Sequence, residues 1–280
     1  MNTKLQTLYG LKFPPFRPGL PIEAICPTPP IDSFVHRVEQ DLPLGGFALV
    51  TGDPGTGKSI TLRILQHHLQ NRHDVVVGTL EHPNSGPGDF YRELGDLFGV
   101  SLTPHNRWAG FKALRTRWAE HIDKTLLRPV LLIDEAQEAV TPVLNELRVL
   151  ASKELDSRQL LSVVFAADAR FTDRLRTPEL MPLASRIHRR LLLEYASREQ
   201  LCACLDHLLL VAGNPSLMTT ELKTTLAEHA VGNYRVMMNM ADEMLSVALL
   251  RELPRLDEKL YFETFQQPPP KRAAPAPRKR

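Results

Sequence analysis

Residues 52–59 read Gly52-Asp53-Pro54-Gly55-Thr56-Gly57-Lys58-Ser59, a glycine-rich loop of the form G-x-x-x-x-G-K-S. This is the Walker A phosphate loop, and its chemistry is the cradling of a nucleotide's phosphates. The glycines let the backbone curl so that several N–H groups, from Gly52 to Ile60, point inward at phosphate oxygens. Lys58 is placed to reach the β- and γ-phosphates of ATP, and the Ser59 hydroxyl to ligate Mg²⁺. A second landmark is Pro129-Val130-Leu131-Leu132-Ile133-Asp134-Glu135. An apolar run ending in two carboxylates is the Walker B pattern. Asp134 would hold Mg²⁺, directly or through water, and Glu135 would orient and polarise the attacking water.

Both motifs need a scaffold. Phe47–Thr51 is a short apolar run, and Ile60, Leu62, Ile64, Leu65 and Leu69 follow the loop at helical spacing. Strand, loop and helix thus bracket the lysine, and the helix start adds its dipole to the anion site. Further apolar runs at 74–80, 129–133, 160–168 and 191–194 predict five strands in all, the one at 129–133 buried on both faces, as strands of parallel sheets are. Helical patterns lie between them at 89–98, 107–127 and 142–155. Beyond Ala196 the alternation stops. Helical patterns at 198–212, 220–230 and 234–251 follow, the first opened by a capping box at Ser197–Gln200, with a short helix near 257–265. The expected organisation is a proline-rich arm (1–30), an α/β nucleotide domain (31–196), a helical domain (197–265) and a disordered basic tail (266–280). Seven prolines before Ile31 predict an extended arm; it is expected to lie across the nucleotide domain, the alternative being a disordered leader.

Composition narrows the class. At 280 residues, 43% hydrophobic and 24% charged, the chain is that of an ordinary globular protein. Apolar runs fall short of the ~18 residues of a membrane span, and no apolar leader opens the sequence, so a cytoplasmic protein is expected. Three cysteines make no disulfide framework. The net charge is +2, but Lys271, Arg272, Arg278, Lys279 and Arg280 crowd the last ten residues without an acid. The remainder is slightly acidic, so nucleic-acid contact must come from a local patch or the tail. Arg107, Lys112, Arg115 and Arg117 form the candidate patch. Lys112 and Arg115 are three apart and would share a helix face, gripping phosphates rather than bases. The alternative is a solvated helix face, since Glu120 and Asp123 follow.

Five strands with Walker A on the first, Walker B on the third and a helical domain afterwards resemble an AAA+ ATPase. The resemblance implies an α/β P-loop NTPase fold with a small all-helical C-terminal lid, ATP and Mg²⁺ as cofactors, and ATP hydrolysis. Asp168, ending the fourth strand, stands at the sensor 1 position, where the family usually has Asn, Thr or Gln. Ser185-Arg186-Ile187 resembles the Ser-Arg-Phe of initiator-type members. It implies that Arg186, with Arg189 in reserve, is an arginine finger acting in trans in a homo-oligomer. Gly232-Asn233-Tyr234-Arg235 resembles sensor 2 and implies a phosphate contact from Arg235. Tyr9-Gly10-Leu11, Pro15-Phe16 and the Ile-Asp-Glu-Ala-Gln form of residues 133–137 are similar to the subgroup of TniB/TnsC-type transposition ATPases and ExeA-like secretion ATPases. The transposition side implies assembly on double-stranded DNA and recruitment of a DDE transposase, with or without a target-selector protein, and no membrane. The competing readings are an ExeA-like envelope ATPase, a protein-directed switch, and a small-molecule P-loop kinase.

Overall fold

The computed structural model describes residues 2–101, 107–125, 127–154 and 157–265. The basic tail and its expected disorder lie outside these. The chain divides into two compact units, one of residues 21–196 with 232–235, the other of 1–20, 197–231 and 236 onward.

In chain order, α1 spans Asn2–Tyr9, α2 Pro29–Asp41, β1 Gly46–Gly52, α3 Lys58–Gln70, β2 Val75–Leu80 and α4 Pro87–Phe98. Then come α5 at Arg107–Glu120, β3 at Arg128–Ile133, α6 at Thr141–Ala151, and a two-stranded antiparallel ribbon of β4 (Ser152–Lys153) and β5 (Arg158–Gln159). β6 (Ser162–Ala167), α7 (Ala169–Leu175), α8 (Met181–Ala184) and β7 (Ile187–Leu193) complete the α/β part. The helices α9 (Arg198–Ala212), α10 (Thr220–Ala230), α11 (Tyr234–Arg251) and α12 (Glu258–Phe265) follow.

The main sheet has the order β2-β3-β6-β1-β7, with every neighbouring pair parallel. Side chains alternate between its faces with period two. Phe47, Leu49, Leu131, Ile133, Val163 and Phe165 join α4, α5 and α6 in one core. Ala48, Val50, Val130, Leu132, Val164 and Ala166 join α2 and α3 in the other. That double burial is why these strands read as continuous apolar runs, each large side chain contributing roughly 1.5–3 kcal/mol. Parallel pairing also sends the loops after β1, β3 and β6 to one edge of the sheet, where open α/β sheets hold their ligands.

The predicted helix over 107–127 is cut short: α5 ends at Glu120 and a π-helical turn, His121–Thr125, follows. The ribbon β4–β5 carries only two residues per strand, too short a signal for a periodicity argument.

Residues 2–20 of the arm belong to the helical unit, whereas residues 21–30 belong to the α/β unit, where Ile22 and Ile25 pack against the core of α2 and α3. The first part of the arm therefore departs from the expected extended course across the nucleotide domain. Residues 2–9 are helical despite the downstream prolines, all of which come after Gly10. Leu5, Tyr9, Leu11 and Phe16 are buried. The Tyr9 hydroxyl donates to the Leu253 carbonyl at 2.8 Å, Asn214 Nδ2 donates to the Tyr9 carbonyl at 2.9 Å, and Arg17 pairs with Asp242 at 2.8 Å. The arm's apolar residues find their burial on helices far along the chain. The capping box at Ser197 and Gln200 starts α9, and Gly213, at φ 105°, ends it.

Candidate functional site

β1 ends at Gly52, and the loop turns directly into α3. Gly52 has no room for a side chain: a Cβ there would lie 2.6 Å from Thr56 Oγ1 and 2.7 Å from the Leu193 carbonyl. Gly55 sits at φ +86°, and its Cβ would meet Asn233 Oδ1 at 2.1 Å. Thr56, buried, closes the loop by donating to the Asp53 carbonyl at 2.8 Å. Left-handed Gly57 is the N-cap of α3, with no side chain capping the helix. The first-turn N–H groups of α3 are thus left to an outside acceptor, which is the structural condition for anion binding. Lys58 is only 7% exposed, and its Nζ donates to the Gly52 and Asp53 carbonyls at 2.9 and 3.1 Å. Buried stem and loop-bound ammonium hold the positive charge at the mouth of the cradle. This cradle fits a nucleotide's phosphates.

β3 delivers the carboxylates to the same edge. Asp134 Oδ1 accepts the Glu135 N–H at 2.9 Å. Glu135 is exposed and lies at φ 50°, ψ 40°, a left-handed conformation that costs a non-glycine residue about 1 kcal/mol. Such outliers cluster at functional sites. Ser59, in the first turn of α3, and Asp134 are hard oxygen donors of the kind Mg²⁺ takes. Among the described residues, no group of three or more His, Cys, Asp or Glu is placed to hold a metal. An ion at Ser59 and Asp134 would therefore draw its other ligands from phosphate and water, as Mg²⁺ does in nucleotide sites. When bound, the ion would neutralise charge on the phosphates.

Sequence reasoning noticed Gln137 only as part of a motif. The structure gives it a position: it is buried, its amide nitrogen donates to Glu135 Oε2, and its oxygen accepts the Asp168 N–H at 3.2 Å. Gln137 thereby ties the end of β3 to the end of β6. Arg174 on α7 braces the same turn by donating to the carbonyls of Gln137 and Ala139 at 2.7 and 2.8 Å. No local sequence signal marks Arg174. The Asp168 carboxylate is engaged elsewhere than expected of a sensor. It caps α7 by accepting from the Arg170 N–H at 3.0 Å and pairs with the Arg170 guanidinium at 2.8 Å.

The segment 232–235 belongs to the α/β unit. Asn233 Nδ2 donates to the Pro54 carbonyl at 2.9 Å, and Asn233 Oδ1 accepts the Arg235 N–H at 3.0 Å. Arg235 is exposed. The residue that meets the loop is therefore Asn233, a neighbour of the one singled out. The Asp53 carboxylate beside Tyr195 raises that phenol's pKa.

Arg186 lies outside this cluster. It precedes β7, which runs parallel to β1, so it stands at the opposite edge of the sheet from Gly52, roughly 20 Å away along the strands. Half-buried, it donates to the Arg148 carbonyl at 2.8 Å. Arg189 forms a bidentate pair with Asp41, at 2.5 and 2.9 Å. The candidate DNA patch is also split. Arg107 pairs with Glu146. Arg115 turns inward, donating to the Ser152 carbonyl at 2.5 Å with its guanidinium 4.9 Å from the Phe111 ring centre. Lys112 and Arg117 are exposed. Lys112 and Arg115 stand on one face of α5, as their spacing predicts, but the Arg115 guanidinium is engaged there by the Ser152 carbonyl of the ribbon and by Phe111 of its own helix.

Residues 44–175 match the AAA domain family. General secretion pathway protein A of Aeromonas hydrophila is 30% identical over 255 residues, covering 87% of this chain and 44% of that protein. The chain thus spans less than half the length of this relative. The ADP form of ORC2 from Aeropyrum pernix aligns with a TM-score of 0.73 at 13% identity, covering 92% of this chain and 72% of that one. ORC1 from Aeropyrum pernix in complex with DNA aligns at 0.67 and 15% identity, covering 89% and 67%. These structures share the fold, a five-stranded parallel sheet flanked by helices with further helices after it. None of the described helices is long and apolar enough to cross a membrane.

Proposed function

We propose, from the match of residues 44–175 to the AAA domain family and the geometry of the site, that this protein binds ATP with Mg²⁺ and uses nucleotide state to control its assembly on DNA. The observation that carries the nucleotide chemistry is the convergence of Lys58, Asp134 and the Glu135–Gln137 pair on one sheet edge. Lys58 and the first-turn N–H groups of α3 hold the phosphates. Ser59 and Asp134 hold the ion, and Glu135, steadied by Gln137, orients the water. Arg186, at the far edge of its own sheet, serves a neighbouring subunit's site, which makes the active form an oligomer. Arg235 contributes a phosphate contact beside Asn233. DNA contact is supported by the exposed Lys112 and Arg117 on α5 and by a fold shared with ORC1, a structure of which contains DNA. The finer reading is a cytoplasmic regulator of transposition that gathers on target DNA and recruits a DDE transposase. The form of residues 133–137 and the Tyr9–Phe16 segment support it.

A second reading is favoured by the 30% identity to General secretion pathway protein A: an ATPase directed at a protein partner in envelope assembly. Fluorescence polarisation with a random-sequence duplex separates the two, using a non-hydrolysable ATP analogue, ADP, or neither. Salt-sensitive binding with the analogue alone, lost in Lys58→Ala, is the expected result. No binding in any state at low salt would overturn the DNA reading and leave the protein-directed one.

A further inference from the structure

The first turns of α5 carry a feature that phosphate gripping does not use. The Trp108 and Phe111 rings are stacked, with centroids 5.5 Å apart and planes 11° from parallel. The Arg115 guanidinium lies over Phe111 as well. Residues 108, 111 and 115 follow one another along a single helix face, so Phe111 has the indole on one side and the guanidinium on the other. Trp108 ends the stack and is 72% exposed.

The stack stands on a fixed base. Arg115 is tied to the Ser152 carbonyl, and Arg107 pairs with Glu146, which itself accepts the Tyr91 hydroxyl at 2.5 Å. An aromatic platform held in place before its ligand arrives loses little entropy on binding.

The charge around it indicates the occupant. Over Arg107–Glu120 the helix holds four cations and one acid. Lys112 is exposed and lies four residues from Trp108, on the same face one turn along. A planar π surface with an ammonium beside it matches a nucleobase and its phosphate. A lipid surface would ask for several exposed large apolar side chains, whereas the exposed neighbours of Trp108 on α5 are Arg107, Ala109 and Lys112.

We propose that Trp108 is a stacking platform for an unpaired nucleobase, with Lys112 holding the adjacent phosphate, so that the protein engages single-stranded or locally unstacked nucleic acid at α5. This rests on the DNA reading above and specifies the form of the nucleic acid it takes. Intact B-form duplex hides its base faces; duplex alone would engage only the basic side chains.

The chain's two tryptophans make the test direct. Trp118 is fully buried and Trp108 exposed, so a change in intrinsic fluorescence on adding ligand reports Trp108. Titration with an oligothymidylate strand, with the non-hydrolysable ATP analogue present, is expected to quench this emission. Trp108→Ala is expected to weaken single-strand binding by about 5- to 150-fold and to abolish the quench, while Trp108→Phe retains part of the affinity. Lys112→Ala should lower the salt dependence by about one counterion. Strand binding by polarisation without quenching, and unaltered in Trp108→Ala, would overturn the platform while leaving the DNA reading intact. Failure to bind either strand or duplex would sink both. A quench produced by anionic phospholipid vesicles and not by oligothymidylate would reassign the indole to a membrane surface.

Discussion

Truncating Gln137 tests the arrangement of the hydrolytic edge. Its amide makes two contacts, one to the Glu135 carboxylate and one to the Asp168 N–H. Gln137→Ala removes both. The first is a charge-assisted hydrogen bond, of the class worth about 1.5–3 kcal/mol. If that energy holds Glu135 toward the attacking water, its loss appears in the barrier and lowers kcat by about 10- to 150-fold. The Gln137 side chain is bonded to Glu135 and Asp168, and the cradle of residues 52–59 is closed by its own hydrogen bonds, so KM for ATP and the affinity for a fluorescent ATP analogue should change little. The second contact leaves the Asp168 N–H unpaired beside a buried turn and costs about 1–3 kcal/mol of stability. Turnover is therefore compared with binding well below the variant's melting temperature. Gln137→Glu gives a sharper reading. It keeps the length of the side chain but replaces the donating amide with a carboxylate, so kcat should fall at least as far as in Gln137→Ala while ATP binding is kept. A kcat within twofold of wild type in both variants would refute the positioning role.

Three further outcomes follow from the same structure. Glu135→Gln should keep ATP binding and lose most of its turnover, and unchanged turnover would remove Glu135 from the chemistry. Asn233→Ala should weaken ATP binding several-fold, read by titration calorimetry, because the Pro54 carbonyl loses its donor and the loop its brace. Hydrogen bonding from Arg189 holds the Asp41 carboxyl below the ordinary carboxylate value. The folded state thus binds this proton more weakly than the unfolded chain. The resulting stability is complete at neutral pH and is lost as pH falls below about 4 and through the folded pKa. Urea unfolding of Asp41→Asn should accordingly lose less stability than wild type between neutral pH and that acid range.

Much of the nucleotide site was legible in the chain because its parts are local. The curl of residues 52–59, the helix after it and the carboxylates after Ile133 each depend on neighbours within a turn or two. Glycine spacing and hydrophobic period record such neighbours directly. The runs that form β1, β3 and β6 were equally readable, since a strand buried on both faces must be apolar throughout. The edge strand β7 begins at Ile187, four residues before the apolar run expected at 191–194, because His188 and Arg190 are exposed. The lateral order of the strands, β2-β3-β6-β1-β7, is not written in any one of them.

The remainder was decided in three dimensions, and the reason is the same in each case. A polar side chain takes whichever partner the topology brings within reach. Arg115 has the spacing of a phosphate-gripping residue, yet the ribbon after α6 offers it a carbonyl, and it turns inward. Asp168 stands where a sensor is expected, but α7 begins at the next residue and Arg170 is close by, so the carboxylate caps the helix. Asn233 meets the phosphate loop 179 positions away in the chain, and Gln137 joins two strands whose adjacency exists only in the sheet. The amino-acid order alone determined that phosphate would be cradled, and by which loop. The sheet and the packing of the helices around it decided which side chains would hold that loop and its carboxylates in place.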